Sequence, residues 1–221
     1  MTGKPDKPAF AGLEQLRKTF NAFAEVLPGG PKKFQLLKND TIQETQSGDY
    51  MIGDKRELFR IQALVDIPAH GVKAGDLGGY VERERCLSHR GDSWVGGDAR
   101  VFSQARVRDD ALVTDNARIA YRAVVEDGAK VGGNSKISQW ASVGGHAEVT
   151  GNSSLSWHSR AEGTAKLDGA KLLMHTRVDS GTMTGEQPLS PADRKDLDNR
   201  MATDPAYARM RKGLISGAPR T

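Results

Sequence analysis

Five histidines, at positions 70, 89, 146, 158 and 175, and a single cysteine, Cys86, are the residues of this 221-residue chain with the most obvious capacity for metal or nucleophilic chemistry. Catalytic zinc needs three protein ligands and an open position. No two of the histidines are close neighbours in sequence, so no ready ligand pair is present. His158 and His175 fall one coil apart in the repeat set out below and can stack, but they lack a third ligand. No metal and no cofactor is therefore expected. His146, beside Gly145, is a base or a turn residue, and the turn is the preferred reading. The chain has no G-x-S-x-G elbow for a serine nucleophile. The glycines Gly71, Gly75, Gly78 and Gly79 are not followed by Lys-Ser/Thr and no helix pattern opens there, so they read as a turn and not a phosphate loop. No catalytic residue is assigned.

Two groups of side chains suit binding better. Arg100, Arg118 and Lys136 recur every eighteen residues and should stand as a vertical ladder. Like charges about 5 Å apart repel, which points to an anion or to acidic groups brought by a neighbour. Nucleic acid would want aromatic rings on that same face. The rings lie elsewhere: Tyr121, Arg122, Trp140, Trp157, His158 and His175 map to one edge, and clustered aromatics in place of polar turn residues mark an interface.

What places them is a hexad that runs from Ser93 to Leu167. Val95, Val101, Val107, Val113, Ile119, Val125, Val131, Ile137, Val143, Val149, Leu155 and Leu167 hold its aliphatic position, with Ala161 the one smaller residue. Four residues after each comes Ala or Ser, from Ala99 to Ala165. Helical spacing is three and four and strand spacing is two, so neither fits. Short strands winding into a parallel β-helix do. A second period of eighteen makes the coil triangular. Gly97-Asp98, Asp115-Asn116, Gly133-Asn134 and Gly151-Asn152 share one corner, where positive φ is expected and Asn134→Val should be resisted. After Leu167 the period slips by one, to Leu172 and Val178, and the column ends near Thr184.

The segments KFQLLKNDTI, RIQALVDI, GVKAGDLGGYVE and LSHRGDSWV, followed by ARV-type hexads, resemble a family of bacterial and phage left-handed β-helix proteins built from hexapeptide repeats. The resemblance spans 33–167 and implies the handedness, which the hexad alone leaves open. More distantly the hexads are similar to those of acyltransferases and γ-class carbonic anhydrases.

The remaining segments frame this column. Residues 1–31 hold a Lys/Pro-rich tail expected to be disordered and an amphipathic helix, with Phe10, Leu13, Leu16, Phe20 and Phe23 near one face and PGGP ending it. Residues 32–92 read as an antiparallel β head that caps the solenoid's open edge. In it, Phe34–Leu37 and Thr41–Gln43 flank a Lys-Asn-Asp turn, and Tyr50–Ile52 and Leu58–Val65 flank Gly53-Asp54. The β-helix takes 93–184. A linker and C-terminal helices take 185–221, with Tyr207, Met210 and Leu214 on one side and basic residues beside them. These terminal faces dock on the chain itself, on a sister subunit or on a partner.

The expected architecture is thus mainly β: a single-stranded left-handed parallel β-helix, triangular with eighteen residues per coil, carrying a small N-terminal β head and flanking terminal α-helices. No run of apolar residues is long enough to span a membrane, and the N-terminus shows no signal segment. One cysteine excludes an internal disulfide and suits the cytoplasm, or a virion assembled there if the chain is phage-encoded as the resemblance implies. The net charge of +4 permits an anionic partner without requiring one. The favoured function is a non-catalytic scaffold or protein-binding module, a homo-oligomer with a trimer first. An acyltransferase-like or carbonic-anhydrase-like enzyme, and a nucleic-acid or nucleotide binder, stand as alternatives.

Overall fold

Every large aliphatic of the hexad points into a narrow core, and almost every small residue does so four positions on. The computed structural model describes residues 32–45, 55–185 and 195. Val95, Val101, Val113, Ile119, Val125, Ile137, Val143, Val149, Leu155 and Leu167 are fully buried, as are Ala99, Ala111, Ala117, Ala129 and Ala147 between them. Two-residue strands separated by two-residue corners build three parallel faces. The first runs through Arg100–Val101, Arg118–Ile119, Lys136–Ile137, Ser154–Leu155 and Lys171–Leu172. The second stacks five strands from Arg106–Val107 to Arg177–Val178. The third stacks six, from Trp94–Val95 to Thr182–Met183.

Pairing is eighteen residues apart through the body, as in Val101↔Ile119 and Ile119↔Ile137. The ends differ. Above, Val81↔Val101 and Leu87↔Val107 are twenty apart. Below, Leu155↔Leu172 is seventeen, because Gly169 turns the corner at φ +66° and buried Ala170 follows at once, with no counterpart of Asn152. A further residue is lost before Met183, which pairs with Leu167.

The head is built differently from the sequence expectation. Strand β1 (Phe34–Thr45) pairs antiparallel with β2 (Lys55–Ala63) along its whole length. Lys38-Asn39-Asp40 is no turn. Pairing jumps from Leu37↔Arg60 to Thr41↔Phe59, so the three residues bulge from one continuous strand. Both halves of β1 face the same partner, and Arg60 holds the bulge through Asp40 at 3.8 Å. Tyr50–Ile52 lies outside the described residues, as do the expected helices at 10–27 and, apart from Lys195, at 188–221. Gly78 and Gly79 are also not part of a loose link. They belong to β3 (Leu77–Val81), which pairs antiparallel with β2 and parallel with Arg100–Val101. The antiparallel head therefore continues the first face without a break, giving the exposed upper edge a hydrogen-bonded neighbour.

The hairpin also covers the outer side of that face. Leu58, Tyr80, Phe102 and Ala120 form a second buried cluster, with Ile42 and Tyr121 against it. At the top, Glu82 accepts from the Ser103 amide at 2.6 Å and from Arg56 and Arg83. Burial pushes its pKa up, but the Ser103 amide and the two guanidiniums outweigh that and hold the carboxyl below its ordinary value of 4.5. Burial pushes the Cys86 thiol up.

Two core hydroxyls are unmatched. Ser135 and Ser159 take the small inward position, are fully buried, and their Oγ atoms have no hydrogen-bond partner among the described residues. An unsatisfied buried hydroxyl costs about 1 kcal/mol or more. Ser135→Ala, which restores the residue most hexads use, is expected to raise the melting temperature by a few degrees in a thermal scan.

Candidate functional site

A corner of this prism is a two-residue turn closed by an i to i+3 hydrogen bond, and the three corners solve it in two ways. In the Gly/Asn corner only the first residue has positive φ: Gly97, Asp115, Gly133 and Gly151, at +58° to +66°. The Asp/Gly corner does the same at Asp109, Asp127, Gly145 and Gly163. Asn134 is thus not in the left-handed region, and the expectation for Asn134→Val loses its cause. The demand falls on Gly133, while Asn134 Nδ2 donates to Asn152 Oδ1 one coil below at 3.2 Å.

The remaining corner has both residues left-handed, the φ signs of a type I′ turn, which favours Asn-Gly. Here the pairs are Ser103-Gln104, Tyr121-Arg122, Gln139-Trp140, Trp157-His158 and Met174-His175, with φ between +46° and +68°. None of the ten is glycine, and none is β-branched, where a second heavy atom on Cβ would crowd most. The extra left-handed residue reverses the peptide. At the other corners an amide donates to the coil below, as Asn134 N to Gly151 O at 2.7 Å. Here it donates to the coil above: Trp140 N to Tyr121 O at 3.0 Å, His158 N to Gln139 O at 3.1 Å.

That geometry sets second-position side chains in register. The rings of Trp140 and His158 stack at 5.3 Å and 11°, and those of His158 and His175 at 5.1 Å and 3°. The Arg122 guanidinium lies 5.9 Å from the Trp140 centroid, and its Nε donates to Gln104 Oε1 at 3.1 Å. One column thus runs Gln104, Arg122, Trp140, His158, His175. First-position side chains turn the other way. Tyr121 packs half-buried beside the outer cluster, and Trp157 is only 8% exposed. Trp140, at 46%, is the tryptophan that faces solvent. Of the six residues assigned to this edge from the sequence, Arg122, Trp140, His158 and His175 form the exposed stack, while Tyr121 and Trp157 serve the fold. Gln104 was missed, although its eighteen-residue spacing from Arg122 places it in the column.

The Arg100, Arg118 and Lys136 ladder stands as spaced, in adjacent strands of the first face. Its acidic partner comes from within the chain. Buried Glu44 of β1 meets Arg100 Nη1 at 2.5 Å and Arg118 Nη1 at 3.4 Å. Lys136 has no ion pair among the described residues. Nothing in the sequence pattern pointed to Glu44, because it sits on the far side of a bulge whose length only the pairing reveals.

The other chemistry-bearing groups are dispersed. His146 is exposed at the Asp/Gly corner, His70 hydrogen-bonds the Asp110 carbonyl at 3.1 Å, and His89 stacks on Phe34 and meets Glu84. Among the described residues no three His, Cys, Asp or Glu side chains gather into a metal-binding group, and no helix is long and apolar enough to cross a membrane. Phe10, Leu13, Leu16, Phe20, Phe23, Tyr207, Met210 and Leu214 lie outside the described residues. Comparison of the chain with protein-family models and with curated proteins finds no match to either.

Proposed function

We propose that the protein is a non-catalytic β-helical binding module that associates with further copies of itself through the aromatic corner. One observation carries this reading. Both positions of five successive turns at this corner hold non-glycine residues in the left-handed region, each at a cost on the order of 1 kcal/mol. Asn-Gly would make the same turn without strain. What those residues supply instead is a flat, exposed column of Trp140, His158 and His175 with Arg122 above it. Planar aromatics and arginine are the side chains that dominate protein contacts. The coils support a scaffold, since strands follow one another through two-residue corners with no long loop in which a substrate site is usually carried.

The corner allows a test that separates folding from binding. Replacing both Gln139→Asn and Trp140→Gly should leave stability equal or higher, because the turn strain is relieved. The same variant should lose self-association in light scattering, where the wild type is expected at a multiple of the 23.9 kDa chain, three copies first. Trp157 is unsuitable for this purpose, since it is buried and its truncation would remove packing. A variant that keeps the wild-type mass would sink the reading, and so would a wild type that is monomeric at every concentration.

A further inference from the structure

We infer that a pocket at the upper end of the aromatic corner binds a phosphate-type oxyanion. The pocket has a volume of about 280 Å³ and is lined by Arg85, Gln104, Arg106, Arg122 and Val124. The fold places each cation separately. Arg122 is the second residue of a left-handed turn, Arg106 opens a strand of the second face, and Arg85 sits in the short 3-10 turn Glu84–Cys86 above them.

Elsewhere on this column arginines are matched. Arg56 and Arg83 meet Glu82, Arg60 meets Asp40 and Asp98, and Arg100 and Arg118 meet Glu44. Arg108 meets Glu126, and Arg160 and Arg177 meet Glu162. Arg85, Arg106 and Arg122 pair with no carboxylate among the described residues, and these three line this pocket. The nearby acids are engaged elsewhere: Glu82 by its two arginines and the Ser103 amide, Glu84 by His89, Glu126 by Arg108. Three guanidiniums gathered without a counter-charge repel one another, and an oxyanion relieves that repulsion. The guanidinium fork matches tetrahedral oxygens in paired hydrogen bonds. Arg122 is already held for the task. Its Nε is engaged by Gln104 and its plane rests by Trp140, which leaves both Nη atoms for a ligand at little further entropic cost. The volume is at the small end for ligand sites, enough for a phosphate group with a modest substituent, and Val124 gives that substituent an apolar wall. The site shares Arg122 with the self-association surface, whose rings lie lower on the edge, while Arg85 and Arg106 belong to the pocket alone.

The test is calorimetric titration of the full chain with inorganic phosphate and with phenyl phosphate at fixed ionic strength. Both should bind, and Arg85→Gln, Arg106→Gln and Arg122→Gln should each weaken binding roughly tenfold. Arg108→Gln, which removes a matched arginine nearby, should stay within about twofold. Tighter binding of phenyl phosphate assigns the site to a phosphate monoester, and equal binding assigns it to the free ion. Wild-type affinity in the three pocket variants would overturn the inference. So would an Arg108→Gln loss as large as theirs, since that would be general charge screening.

Discussion

Val131→Asp should abolish the cooperative thermal transition of the column and send most of the protein to the insoluble fraction. Val131 is 1% exposed and sits in the middle of the third face, paired with Val113 above and Val149 below. The interior here is a narrow stack of aliphatic and small side chains, with a few serine hydroxyls and no cation among the buried residues of the coils. A carboxylate in that position either stays charged without a partner or takes up a proton and still lacks hydrogen bonds. Either form costs several kcal/mol, comparable with the whole stability of a domain. Circular dichroism and the soluble yield report the outcome. A soluble variant with an unchanged melting curve would mean that the hexad's aliphatic position does not face inward.

Gly78→Val should be nearly as damaging, for a steric reason. A Cβ at residue 78 would lie 2.5 Å from the Val95 carbonyl oxygen, 2.6 Å from Ile61 Cγ1 and 2.7 Å from Trp94 Cζ2. Two of these neighbours belong to the first coil and one to the head, so no single side chain can swing away to make room. Overpacking of this kind costs about 1–3 kcal/mol, and more where backbone is the obstacle. The loss falls on the seam between β2, β3 and the first coil. Hydrogen exchange should accelerate at residues 77–82 before it does so at 130–150. Unchanged protection at the seam would show that the head moves aside freely.

The body of the column was legible because its code is strictly periodic: a reader who sees an aliphatic residue, then Ala or Ser four residues on, twelve times over needs no other information to wind the coil. The first slip after Leu167 was legible for the same reason, while the second, before Met183, was not. What escaped were contacts set by register between segments without a period. The Lys38-Asn39-Asp40 bulge carries turn-forming residues, and only the continuous partner β2 shows that the strand does not reverse there. Gly78 and Gly79 look like a flexible link until Trp94 is seen to fill the space beside Gly78, and Val95 with the Ala99 carbonyl the space beside Gly79. Glu44 reaches Arg100 across fifty-six residues. At the aromatic corner the column of residues was readable from the spacing of eighteen, but not the direction of each side chain. Consecutive left-handed residues leave Trp157 buried and Trp140 exposed, and the residue types there are among the least expected for that conformation.

The constant eighteen-residue pairing has a consequence for how such a chain can change length. Each strand in the body bonds only to its counterparts one coil earlier and one coil later. Loss or duplication of one complete turn of sequence would therefore bring equivalent residues together again. Val113 would meet Val149 as readily as it meets Val131, and Arg122 would lie over His158. Loss of six or twelve residues would keep the aliphatic position inward but put one corner's residues in another's place, and loss of a single residue inside a strand would turn solvent-facing residues toward the core. The shortened corners after Leu167 sit where they do least harm, below the last full coil, where few strands remain to be thrown out of step. Growth and shrinkage in this architecture are thus quantised. The number of rungs on the edge, and with it the reach of the ring stack, is an inheritable integer instead of a continuously tuned length.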